Sequence, residues 1–241
     1  MTSSKINDFG HFLGKEKENE INSIVNLGKD FYLIHNLDIL YQKSFEITID
    51  KVELKIPAFL FGNVHREFYL AMCNFIRMHS SISFRNLRCA IDSLFTAYYL
   101  SKYPKAREVY LSNLKSKPNE EWKKIFKNIK ATIKNNPGEF PLAKKLIQMH
   151  ESCSIFAHSD AQDVLTRYVE NKEKLCLGAT YCDYKENSDD YKKRLGKLLD
   201  AFFRIFFVFW TEMFKKCANE ELLEEINIRI VAYKKYLEDF Q

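Results

Sequence analysis

A chain of 241 residues with 46% hydrophobic side chains, 20 Phe and 13 Tyr among them, carries too much apolar surface to stay disordered, and 7 Gly with 5 Pro leave few helix breakers. Its 37 basic and 32 acidic residues give a formal charge of +5, a small excess on a densely charged surface that favours an acidic partner only mildly. Six cysteines without a CxxC pair read as reduced thiols acting as small hydrophobes, not as a disulfide or metal framework.

Residues 1–14 are polar and read as a flexible arm; they lack the apolar stretch of a secretory signal, so a cytoplasmic protein is expected. From 15 to about 42 the apolar residues Ile21, Ile24, Val25, Leu27, Phe31, Leu33 and Ile34 recur at helical spacing, which predicts one or two helices interrupted near Gly28. Between residues 44 and 56 the alternation of Phe45, Ile47 and Ile49, then Val52, Leu54 and Ile56, predicts a short β-hairpin ended by Pro57. Long helices follow at about 59–78 and 83–100, and the short HSSIS link predicts an antiparallel pair. Pro104 opens a short helix to about Leu114. The next helix, to about Lys134, places Trp122, Ile125, Phe126, Ile129 and Ile133 on one face before NNPGEFP ends it.

Residues 141–170 read as one long helix or two broken near His158, followed by a loop with a short strand around Leu175–Tyr181. The last helices are expected at about 190–218 and 220–240. The first contains the only membrane suspect, LLDAFFRIFFVFWTEMF, yet Lys197, Asp200, Arg204, Thr211 and Lys215 run along one side, so it reads as a central buried helix with no membrane role. The whole chain, 1–241, reads as one all-α antiparallel multi-helix bundle.

The candidate chemistry is a small polar set inside apolar helices. On a helical wheel Phe84, Leu87, Ile91, Phe95 and Tyr98 form a stripe with Arg88 at its edge, Asp92 one turn on, and Arg85 on the same flank. Asp92 alone cannot satisfy a half-buried guanidinium, so more partners must come from another helix. The segment 142–158 can supply them: His150, Ser154 and His158 follow one another at i,i+4 beside the stripe of Leu142, Leu146, Met149, Cys153 and Ala157. Such a cluster is either a satisfied interhelical network that fixes register or the lining of a ligand or catalytic pocket.

No metal or cofactor is expected. His150 and His158 stand about 12 Å apart along a helix, too far to grip one ion, and Cys176 and Cys182 match no finger spacing. Cys153 sits in an apolar stripe that raises rather than lowers a thiol pKa, and there is no Gly-rich phosphate loop, paired-carboxylate motif or nucleophile elbow. Lys123, Lys127, Lys130 and Lys134 line the face opposite Trp122 and Phe126. Such a face is either simply solvated or able to track phosphates, and Glu120 and Glu121 dilute it.

The order of FRNLRCAIDSLFTAYYL, SCSIFAHSD, LCLGATYCDY and LLDAFFRIFFVFW resembles the bacterial helical-bundle proteins grouped near the HEPN-like families of toxin and phage-defence systems, over roughly residues 60–215. The resemblance implies a helical bundle, dimerisation through an aromatic helix, and a role in bacterial stress or phage defence. Active members carry an Arg four to six residues before a His, a pair this chain lacks. The expectation is therefore a non-enzymatic binding protein with a protein partner or a second copy, and RNA as a further partner. The alternatives are a divergent ribonuclease in which His158 is the acid or base and Arg88 holds a phosphate, with Asp92 beside it, and a binder of a small apolar ligand among Phe202, Phe203, Phe206, Phe207 and Trp210.

Overall fold

A computed structural model describes residues 9–46, 54–113, 120–157 and 188–240. Helix α1 (Phe9–Leu27) passes through a 3-10 turn (Gly28–Asp30), with Gly28 at φ +48°, into α2 (Phe31–Glu46). It begins inside the stretch read as an arm. There follow α3 (Lys55–Ile76), α4 (Ser80–Lys102), α5 (Pro104–Asn113), α6 (Glu120–Asn135), α7 (Lys144–Ala157), α8 (Ser188–Phe209) and α9 (Glu220–Phe240). The protein is an all-α bundle, with no strand among the described residues. None of the described helices is long and apolar enough to cross a membrane.

The expected hairpin is corrected at both ends: Phe45 belongs to α2, and Lys55 and Ile56 belong to α3, while 47–53 lie outside the described residues. A few alternating residues do not outweigh burial. Phe45 follows Tyr41 at i,i+4 and lies against Phe61, and Leu54 and Ile56 enter the core as α3 begins. Pro57 sits in the first turn of α3, where a missing N–H disrupts no helical bond. The expected strand at Leu175–Tyr181 also lies outside the described residues.

Helices α3 and α4 are the antiparallel pair that their short link predicts. Asn63 Nδ2 donates to Ser93 Oγ at 2.8 Å, and Asn86 Nδ2 donates to Glu67 Oε2 at 2.8 Å, so early α3 faces late α4. Glu67 is buried but also accepts from Arg66, so its charge is not left uncompensated. The turn between them is a Schellman motif: His79 N–H donates to Asn74 O at 2.8 Å and Met78 N–H to Phe75 O at 2.9 Å. Met78 occupies the left-handed position, φ 65°, that glycine usually fills. Because that conformation costs an L-residue about 1–2 kcal/mol and glycine's extra unfolded freedom returns part of it, Met78→Gly is expected to stabilise the fold by about 0.5–1 kcal/mol. The check is a higher denaturant midpoint at unchanged slope; a lower midpoint would mean that the Met78 side chain contributes more than its backbone costs.

Helix α8 runs through the middle, burying Leu195, Leu198, Leu199, Phe202, Phe206 and Phe209 against α2, α3, α4, α7 and α9. It leaves α-geometry in a π-helical turn (Trp210–Phe214) and a 3-10 turn (Lys215–Cys217). That π turn presents Glu212 to Lys102 of α4 at 3.0 Å. Asn219 then caps α9, accepting the Leu222 N–H at 2.9 Å, with Glu220 and Glu221 at the positive helix end.

Candidate functional site

The helices carrying the sequence candidates meet. His150 of α7 donates from Nε2 to Asp92 Oδ1 of α4 at 2.8 Å, and Lys130 Nζ of α6 lies 3.1 Å from His150 Nδ1. An ammonium can only donate, so in this arrangement Nδ1 accepts from Lys130 while Nε2 donates to Asp92. The chain continues to Glu151, 3.7 Å from Lys130 and 3.2 Å from Lys134, whose hydrogen bond holds that carboxyl below its usual range. His150 is 4% exposed and lies beside the Phe95 ring, whereas the Asp92 side chain is 55% exposed. The network is therefore a linear run with the buried His150 ring inside it and solvated charges at its ends, tying α4, α6 and α7 together.

The other candidates have separate environments. Arg88 is half-buried, and its charge pulls the Cys153 thiol down against a larger burial effect, which leaves that thiol pushed up to about 12. A thiol with that pKa is a core hydrophobe, not a nucleophile. Ser154 donates to the His150 carbonyl at 2.9 Å within its own helix, and Arg85 is half-buried on α4. Lys123 pairs with Glu120 at 2.6 Å, and Lys127 points to solvent. His158, Cys176 and Cys182 lie outside the described residues.

The aromatic set of α8 is packed rather than hollow at its centre. Phe202 meets Phe68 edge-on at 5.3 Å, Phe206 meets Tyr41 at 5.6 Å, and Trp210 is buried. Phe203 and Phe207 instead border a surface groove of about 370 Å³ that also holds Leu142, Lys145, Arg204 and Lys234. Its charges are balanced: Asp200 receives Arg204 at 2.9 Å and Lys145 at 3.6 Å, and Glu238 lies on the rim.

Two features had little signal in the sequence. The first is a cluster between α2 and α3: Asp38 Oδ1 accepts from His65 Nε2 at 2.6 Å and from Tyr69 at 2.7 Å, and Gln42 donates to Oδ2 at 2.7 Å. The His65 ring stacks parallel on Tyr41 at 5.2 Å. The i,i+4 spacing of Asp38 with Gln42 and of His65 with Tyr69 was the available clue.

The second is a groove of about 530 Å³ between α4, α7 and α8. Its floor includes Phe84, Leu87, Met149, Cys153 and Ala201, and Lys145, Lys193, Arg194 and Lys197 stand around it. Among the described residues no Asp or Glu lines it. The run KKRLGK at 192–197 was the visible signal, but a groove needs three helices that lie far apart in sequence. No family model, curated protein or solved structure matches this chain.

Proposed function

We propose that this chain is a binding protein rather than a catalyst, and that it holds an anionic partner in the groove between α4, α7 and α8. One observation carries the reading: Lys193, Arg194 and Lys197 crowd one wall of an apolar-floored groove whose described lining contains no carboxylate. Elsewhere Lys15, Lys43, Lys102, Lys123 and Lys134 each reach an acidic side chain. Cations set beside a concave apolar surface are what an anion-binding site requires, and Lys193 and Lys197 supply two of them on one exposed turn of α8. The Asp92–His150–Lys130 run supports the same reading, because a buried histidine with both ring nitrogens engaged has none to offer a substrate.

Heparin chromatography tests this. The double variant Lys193→Glu, Lys197→Glu is expected to elute at lower salt than Lys124→Glu, Lys127→Glu, which makes the same change in net charge on α6. His150→Ala is expected to melt earlier yet elute with the wild type. Equal shifts for the two double variants would reduce the effect to net charge, and cleavage of RNA by the wild-type protein would replace binding with catalysis.

A further inference from the structure

We propose that the groove between α4, α7 and α8 takes a free single-chain anionic amphiphile, a phosphate or carboxylate head on an aliphatic tail. The proposal rests on the reading of that groove as the binding surface and names its ligand class.

The wall supplies the head-group site. Lys193 and Lys197 are exposed neighbours at i,i+4 on α8, a pair of like charges that is mildly unfavourable by itself and that an anion between them would relieve. Two point-charge ammonium groups one helical turn apart suit a phosphate or carboxylate set between them. Arg194 also reaches Ser80 Oγ of α4 at 3.5 Å, which places its charge on the inner side of that wall. Less than one turn beyond Lys197, Lys145 is already drawn to Asp200 at 3.6 Å, so the head belongs on the Lys193–Lys197 turn.

The floor supplies the tail site. Leu87, Met149, Cys153 and Ala201 are aliphatic or thiol surfaces, with Phe84 the one aromatic residue among them. A nucleic acid would call for exposed aromatic faces on which bases stack, and Phe84 is half-buried against the core. A membrane surface would call for apolar side chains that project beyond the basic ones. Here Leu87 and Cys153 are 2% and 3% exposed, at the bottom of the concavity. The volume of about 530 Å³ lies in the usual range for pockets that take one small ligand.

Isothermal titration of the full chain with decyl phosphate, decanoate, butyl phosphate and decyltrimethylammonium tests the proposal. Decyl phosphate and decanoate are expected to bind, butyl phosphate roughly tenfold or more weakly because its tail buries less apolar surface, and the cationic amphiphile not measurably. Lys193→Glu, Lys197→Glu is expected to abolish binding of both decyl anions at an unchanged melting temperature. Equal binding of the cationic amphiphile, or undiminished binding by the double variant, would overturn the proposal, as would binding to phosphatidylglycerol vesicles without binding to the monomeric amphiphiles. Binding of an oligouridylate that the double variant loses, with no response to decyl phosphate, would overturn the amphiphile while leaving the groove as the binding surface. No response to any of these anions, together with equal heparin shifts, would remove both.

Discussion

Replacing Phe61 by alanine is expected to destabilise the fold by about 3–5 kcal/mol, the usual cost of emptying a fully enclosed aromatic site. Phe61 has no exposed surface, and its ring centroid lies 5.1 Å from Tyr41 and 6.2 Å from Phe45 of α2. It also lies 5.0 Å from Phe209 of α8 and 5.0 Å from Phe214 of the π turn. Two segments distant in sequence, α2 and the end of α8 with its π turn, therefore share one side chain of α3, and the cavity left by its removal borders both. The packing is tight next door as well: a Cβ on Gly62 would stand 3.2 Å from Phe45 Cε2. Against a typical domain stability of about 5–15 kcal/mol, the variant is expected to show a large fall in the urea midpoint. Phe61→Leu, which keeps most of the volume, is expected to cost about 1–2 kcal/mol. A loss below about 1 kcal/mol for the alanine variant would mean that neighbouring rings refill the site.

Alkali is the second strong lever. Tyr41 and Tyr233 are enclosed in the core, and burial pushes both phenols well above their usual value of 10.0. Tyr233 raises Tyr41 further, and Asp200 raises Tyr233. The Tyr41 hydroxyl also donates to the Phe202 carbonyl at 2.8 Å, a bond that the phenolate would lose. Above pH 10 the unfolded chain releases these two protons while the folded chain keeps them, so stability falls as pH rises. Below that value the two groups contribute no pH dependence. Each tyrosine contributes a slope of up to about 1.4 kcal/mol per pH unit, so the pair removes roughly 3 kcal/mol for each unit above 10. Melting temperatures measured across this range are expected to be flat to about pH 9 and then to drop steeply. Phenolate absorbance from the buried tyrosines should rise together with unfolding. Smooth ionisation near pH 10 with the fold intact would show that both rings reach solvent.

The long helices were legible because their periodicity extends over many turns: α3 and α4 were expected as an antiparallel pair, and Asn63, Glu67, Asn86 and Ser93 lie across that seam. The ends of the expected hairpin were misread from too short a window, since a few alternating apolar residues fit a strand as well as the end of a helix whose preceding turn supplies Tyr41. Asp92 and His150 could be identified as flank residues of two apolar stripes. The part played by Lys130 could not, because it depends on α6 crossing α7, and the same lysine reads equally well as one member of a solvated face. The π turn at Trp210–Phe214 was invisible for a related reason: the apolar pattern continues through it, and only packing against α4 shows where the backbone widens. The basic groove needed both the KKRLGK run and the knowledge that α4 and α7 form its other two sides.

The bond from Tyr41 to the Phe202 carbonyl joins residues separated by 161 positions in the chain. On a ribosome adding roughly 5–20 residues per second, the aromatic face of α2 and α3 is made on the order of ten seconds before the helix that covers it. The α3–α4 pair can close early through its short turn, but Tyr41, Phe61 and Phe68 have no α8 to pack against until late in synthesis. The wild-type chain thus passes through a sticky half-built state each time it is made, and its yield in a cell depends on how well that interval is guarded as well as on the stability of the finished bundle.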